Sequence, residues 1–161
     1  KTAYEIGTGD WSSDVCSSDL MRNNPNWISA MAWLINWYGK KTSYFRWHDS
    51  GDIQTVDHLR KICAVAAGTP HIQHWLPTRE AKILKDYKEA GGVIPANLVI
   101  RLSATMVNGV PSKIHEHSST VHTAGVAPIG EACNAQHQGG QCLDCRACWN
   151  PAIKNISYEA H

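Results

Sequence analysis

The apolar positions fall into short blocks whose spacing changes along the chain. Between Pro25 and Tyr38, Trp27, Ile28, Met31, Leu34, Ile35 and Tyr38 recur every three or four residues. That spacing predicts an amphipathic helix with Pro25 near its first turn and Gly39 as its stop. The run Ser43–Trp47 reads as a short buried strand, ending in the polar cluster His48-Asp49-Ser50-Gly51-Asp52. A second helix follows over residues 55–67, with Val56, Leu59, Ile62, Cys63 and Ala66 on one face and Gly68-Thr69-Pro70 as its stop. His71–Leu76 predicts a second strand, closed by Pro77-Thr78-Arg79-Glu80. A third helix runs to Ala90, where Gly91-Gly92 ends it. Asn97–Ser103 is a third strand, an apolar run bounded by Pro95 and Ser103, and Ser118–Thr123 is a fourth. Residues 105–117 read as a loop carrying His115 and His117.

Strands alternating with helices argue for an α/β fold with a parallel βαβαβ sheet, either open or a partial barrel. The strand runs are continuous rather than alternating, as strands buried on both faces require. His71, His74 and His58 read as structural or surface residues, and Cys63 as core.

Residues 1–20 follow neither period and are rich in Ser, Asp, Gly and Thr. The stretch Trp11–Leu20 resembles the conceptual translation of a sequencing-library adapter, so this segment is set apart from fold reasoning as adapter-derived or disordered. Residues 21–161 are then a single α/β domain. The whole chain of 161 residues has a net charge of +1. The first twenty residues carry Lys1 against Glu5, Asp10, Asp14 and Asp19, which leaves the remainder at +4, too mild for a polyanion-binding surface. Apolar residues make up 43%, in no run long enough to span a membrane, and no secretory signal is visible. The expectation is a protein of the cytoplasm, in a bacterial host, with no membrane partner.

In parallel sheets, ligands bind beyond the carboxyl ends of the strands. There the sequence places His48, Asp49, Ser50 and Asp52 after the first strand, and Thr78, Arg79 and Glu80 after the second. Arg101 and Ser103 follow on the third, and His122 on the fourth. His48, Asp49, Asp52, Arg79, Glu80 and Arg101 are candidate catalytic residues. The carboxylates and imidazole suit proton transfer, and the guanidinium groups suit a carboxylate or phosphate. Ser50, Thr78, Ser103 and His122 are candidate ligand contacts for a small molecule. The plainer readings are a helix cap for Asp49 or Ser50 and a first-turn position for Glu80.

The sharpest pattern is Cys133, Cys142, Cys145 and Cys148, four thiols at the end of the chain within the segment 131–150. In a chain without a secretion signal, such a cluster points to metal rather than disulfides. Two-residue gaps let one turn aim successive sulfurs at one centre, and Gly139-Gly140 give the loop freedom to bring Cys133 in. Zinc takes four such ligands. The three-residue spacing of the last three cysteines leans toward a four-iron cluster (4Fe-4S) and leaves zinc open. His137 is a spare ligand.

Four phrases together resemble the phage gene product 88-like family of uncharacterised proteins. They are Phe45–Ile53, His74–Glu80, Asn97–Ala104 and Cys142-Leu-Asp-Cys-Arg-Ala-Cys-Trp149. The resemblance implies a phage or prophage origin and a further cysteine-bearing segment upstream of the first helix, where this chain holds its adapter-like stretch. A truncated fragment is the corresponding expectation. A looser, fold-level similarity is to radical S-adenosylmethionine enzymes, whose three-cysteine motif near the first strand is not matched before Cys63. Two functional readings follow. One is a metalloprotein with an iron–sulfur cluster or zinc beside a strand-end pocket. The other is a zinc-stapled, non-catalytic module that contacts nucleic acid.

Overall fold

In a computed structural model of the chain, residues 24–48 and 51–160 are described. The segment 1–20, and with it the expectation of an adapter-derived stretch, lies outside them, as do Asp49 and Ser50. Three helices form where the periodicity places them: α1 (Trp27–Gly39), α2 (Val56–Ala67) and α3 (Ala81–Glu89). Four strands alternate with and follow them: β1 (Tyr44–Arg46), β2 (Gln73–Thr78), β3 (Leu98–Val107) and β4 (Ser118–His122). Two further strands, β5 (Glu131–Ala132) and β6 (Asn155–Glu159), complete the sheet. Its order is β1-β2-β3-β4-β6-β5, every pairing is parallel, and the sheet curls into a half-barrel. No helix among the described residues is long and apolar enough to cross a membrane.

The two faces of the sheet are covered differently. The helices bury Leu59, Ile62, Val65 and Leu84 against the face that presents His74, Leu76, Leu98 and Ile100. Strand parity sends Tyr44, Arg46, Trp75, Val99, Arg101 and Ile156 to the other face. Among the described residues no α-helix covers that side. Residues 133–153 lie over it, and Trp75, Cys148, Trp149 and Ile156 form a second, smaller core.

Several expectations change. Leu34 and Tyr38 of α1 are exposed, while Trp27, Ile28, Met31, Ala32 and Ile35 carry the packing, so the buried stripe is narrower than the apolar spacing implies. β2 runs two residues later than expected and includes Pro77. Gln73 and Trp75 exchange hydrogen bonds with β1, and Pro77 continues their parity past the end of β1, where its missing N–H costs no ladder bond. β3 extends to Val107, into the stretch expected to be a loop, with a register irregularity against β4 between Ser103 and Val107. β6 was not anticipated, although Asn155-Ile156-Ser157-Tyr158 alternates with the two-residue period of a strand.

The entry to β5 is tight. A Cβ on Gly130 would stand 2.6 Å from the Asn155 carbonyl oxygen, and its φ is +75°. Asn155 is a buried hub: its amide donates to the Ile129 carbonyl at 2.6 Å and to Thr120 Oγ1 at 2.9 Å, and accepts from Ser118 Oγ at 2.7 Å. Gly130→Ala is expected to cost about 1–3 kcal/mol through backbone strain and to detach β5. The check is a urea midpoint together with faster amide exchange at Cys133.

Candidate metal centre and strand-end residues

The loop after β1 folds back through Asp52. Its carboxylate accepts from Thr78 Oγ1 at 2.5 Å, from the Arg79 backbone N–H at 2.6 Å and from its neighbour Ile53 at 2.7 Å. Thr78 Oγ1 in turn accepts from the Glu80 N–H at 3.1 Å, just before α3. Asp52 and Thr78 thus bracket the ends of β1 and β2, while the Arg79 and Glu80 side chains reach solvent. The cap of α2 is Thr55, whose side chain accepts from the His58 N–H at 3.0 Å. His48 sits at φ +50°, edge-on to His58 with ring centroids 5.5 Å apart. Burial holds its pKa below the usual imidazole value and the Asp52 charge pulls the other way. Its Nε2 is a buried atom without a hydrogen-bond partner among the described residues.

The remaining strand-end candidates go elsewhere. Ser103 pairs with Ser119 at 3.1 Å, in the middle of β3 because that strand runs on, and His122 Nδ1 meets Ser157 Oγ at 2.8 Å. Arg101 is fully buried on the far face of the sheet from α1 to α3. Nε donates to the Cys148 carbonyl at 2.9 Å, Nη1 to Ile153 at 3.0 Å and to Ser118 at 3.5 Å, and Nη2 to Ala147 and Asn150, both at 3.1 Å. All five of its N–H groups are spoken for, which leaves none for a bound anion. The strand-end residues therefore divide into a bracket at Asp52 and Thr78 and a separate anchor at Arg101.

What Arg101 anchors is the cysteine segment. Cys133 leaves β5 with its N–H on the Ser157 carbonyl at 2.9 Å. The chain then passes through a 3₁₀ turn and Gly139-Gly140, both at positive φ, to a turn closed by the Cys145 N–H on the Cys142 carbonyl at 2.8 Å. Cys148 and Trp149 end the passage in a second 3₁₀ turn, both buried. The Trp149 indole N–H donates to the Phe45 carbonyl of β1 at 2.9 Å. Its ring meets Tyr44 and Trp75 edge-on, with centroids 5.6 and 5.1 Å apart.

Cys133, Cys142, Cys145 and Cys148 all line one cavity of about 80 Å³, together with Trp149 and Ile156. A single water needs roughly 10–15 Å³ by the same measure, so there is room for a larger guest. Cys133, Cys142, Cys145 and Cys148 are free thiols. As placed, no three of the His, Cys, Asp and Glu side chains among the described residues come close enough to share one metal ion. The expected convergence on one point is not seen among the described residues: Cys142 and Cys145 are exposed and Cys148 is buried.

The electrostatics of Cys142 and Cys148 follow their burial. Desolvation pushes the Cys148 thiol up to about 11, opposed by the Tyr158 hydroxyl at 3.4 Å and by the Arg101 charge. Desolvation also raises Cys142, joined by Cys133 and Cys145, while Arg146 and Arg46 act to lower it. Both of those guanidinium groups lie over aromatic rings, Arg46 over Trp75 at 4.8 Å and Arg146 over Tyr44 at 5.1 Å. The Trp75 indole N–H is buried without a partner among the described residues. Sequence reasoning placed Arg101 in a pocket and overlooked Tyr158 and Trp75. The alternation of β6 would have put Tyr158 on the cysteine face had that strand been read.

No curated protein and no solved structure matches the chain. The family model described as gene product 88 matches residues 16–151, which takes in α1, every strand except β6, and all four of these cysteines. The chain belongs to the gene product 88 family.

Proposed function

We propose that the chain is a phage-type metalloprotein in which Cys133, Cys142, Cys145 and Cys148 hold one metal centre, an iron–sulfur cluster in preference to zinc. The observation that carries the reading is that all four free cysteines line one cavity. A tetrahedral zinc with bonds near 2.3 Å draws its sulfurs to within about 4 Å of one another. A cubane takes one sulfur at each of four corners and accepts a wider ring. The three-residue spacing of Cys142, Cys145 and Cys148 favours the cluster. Four thiolates around either centre leave a net negative charge, and Arg46 and Arg146 stand on the same face to offset it. The Tyr158 hydroxyl, 3.4 Å from the Cys148 sulfur, supplies a donor that a sulfur-rich centre can use. When bound, such a centre supplies electron transfer or Lewis acidity; the chain itself supplies the ligands, the dry floor and the compensating charge.

Anaerobic purification of the whole chain, with metal and acid-labile sulfide analysis, tests this. Equal iron and sulfide, about four of each per chain, with a broad visible absorption, is the expected result. A colourless protein with about one zinc per chain moves the centre to the second metal. Absence of any metal overturns the reading. Cys145→Ser is expected to lower metal content severalfold.

A radical S-adenosylmethionine-like activity is the finer reading of this fold. The parallel half-barrel is its only support here. The other reading, a zinc-stapled module for nucleic acid, draws on the two ring-stacked arginines. It predicts salt-sensitive DNA binding that is lost in an Arg46→Ala, Arg146→Ala double variant.

A further inference from the structure

We propose that Cys142 and Cys145 form a thiol–disulfide exchange pair, built on an exposed turn, that opens and closes against small-molecule thiols and disulfides. The inference needs no metal and only two of the four cysteines, so it goes beyond the four-thiolate reading. Both residues lie in the cover over the second face of the sheet, and both are exposed. Cys148 is buried beside the Tyr158 hydroxyl, and Cys63 is buried in the core under the helices. Cys133 is half-buried and packs against the cluster of Cys148 and Trp149.

The turn sets the two sulfurs for one another. The Cys145 N–H donates to the Cys142 carbonyl at 2.8 Å. A four-residue turn closed by that bond keeps its first and last Cα within about 7 Å. A disulfide spans Cα atoms about 4.4–6.8 Å apart, so the bond can form without unfolding the turn. Arg146 pins the same turn from outside. Its Nη1 donates to the Leu143 carbonyl at 2.6 Å and to the Cys145 carbonyl at 2.7 Å, while the guanidinium lies over the Tyr44 ring at 5.1 Å. Between the cysteines, Leu143 is held at φ +46°, a left-handed backbone that costs a side-chain-bearing residue about 1–3 kcal/mol. Leu143 is exposed, so burial does not offset that strain.

The exchange moves two electrons. One thiolate of the pair attacks a disulfide R–S–S–R, whose S–S bond breaks as R–S⁻ leaves with the electron pair. The second thiol gives its proton to solvent and attacks the protein sulfur of the mixed disulfide, expelling the other R–S⁻. The pair loses two electrons and two protons, and the small disulfide becomes two thiols. Excess thiol runs the same steps backwards.

Oxidised glutathione, added to the reduced and chelator-treated full chain, tests the pair. Unreacted thiols are alkylated, and disulfides are placed by fragment mass spectrometry. In the wild type, a bond between Cys142 and Cys145 is expected, with Cys133 and Cys148 alkylated, and reduced glutathione should reopen it. Cys142→Ser and Cys145→Ser are each expected to hold glutathione on the remaining thiol, at least about tenfold more than the wild type, because the neighbouring thiol that resolves it is gone. A wild-type pair that stays open, a bond from either thiol to another cysteine, or glutathione retained on the wild type at the level of the single variants overturns the proposal. Closure is read on the metal-free chain, so its failure leaves the four-thiolate reading untouched, and absence of metal on purification leaves the pair untouched.

Discussion

Arg101→Met is expected to lower folding stability by about 3–5 kcal/mol, because several buried carbonyls lose a charged donor at once. The side chain is 0% exposed, and its five donors hold carbonyls of residues 118, 147, 148, 150 and 153. Methionine matches much of the volume and none of the donors. Each carbonyl left buried without a partner costs about 1–3 kcal/mol, reduced where water can enter. Arg101→Lys keeps the charge and offers three donors from one point, so it should recover only part of the loss. Burial pulls the guanidinium pKa down, with Cys148 and Tyr158 opposing, yet it remains a cation that needs this cage. Chemical denaturation at pH 7 gives the number, and metal content should fall alongside it because Cys148 is carried on the anchored segment. A change under about 1 kcal/mol would mean that the cover is not held from β3.

The contrast between this anchor and the strand-end bracket explains what could be read from the chain alone. Local signals were sufficient for α2, where Thr55, Leu59, Ile62 and Gly68 give cap, stripe and stop within one segment. They were sufficient also for the parallel sheet, since the helices between β1, β2 and β3 force right-handed crossovers. Arg101 stands out in the sequence, since a guanidinium inside an apolar strand needs a partner. Its partners lie 46 to 52 residues away, apart from Ser118, and they are backbone carbonyls, which no residue type announces. The same holds for the cysteines. Their spacing showed that they share a turn, but the depth of Cys148 and the exposure of Cys142 depend on Trp149 docking on β1, 104 residues earlier in the chain. β6 escaped because its core neighbours, Ser118, Ser119 and Thr120 on β4, are polar and buried, so that part of the sheet lacks the apolar run that marks the other strands.

Acid is expected to unfold the protein through its buried histidines, and His74 carries the argument. It is fully buried on the helix-covered face of β2. Thr69 Oγ1 donates to the Val65 carbonyl at 2.8 Å, so the His74 Nε2–H must be the donor in its 2.8 Å contact with that hydroxyl. Nδ1 then accepts the Trp47 indole N–H at 3.2 Å. Both ring nitrogens are satisfied in the neutral imidazole, and a second proton would face the indole hydrogen. Desolvation lowers the pKa to about 4. Because the folded value lies below the unfolded one near 6.5, the unfolded chain binds the proton first as pH falls. The contribution is complete above about pH 6.5 and disappears between there and about pH 4, a loss of about 3 kcal/mol. His115, also lowered to about 4 by burial and by Lys88 at 2.7 Å, titrates in the same window with the same sign. Stability should therefore fall between pH 6 and 4.5 with a slope of about two protons, near 2.7 kcal/mol per pH unit. His74→Gln should lower stability at pH 7 and remove about one proton from that slope. Urea midpoints at four pH values read both effects, and a variant slope equal to the wild-type slope would show that His74 is protonated in the native protein.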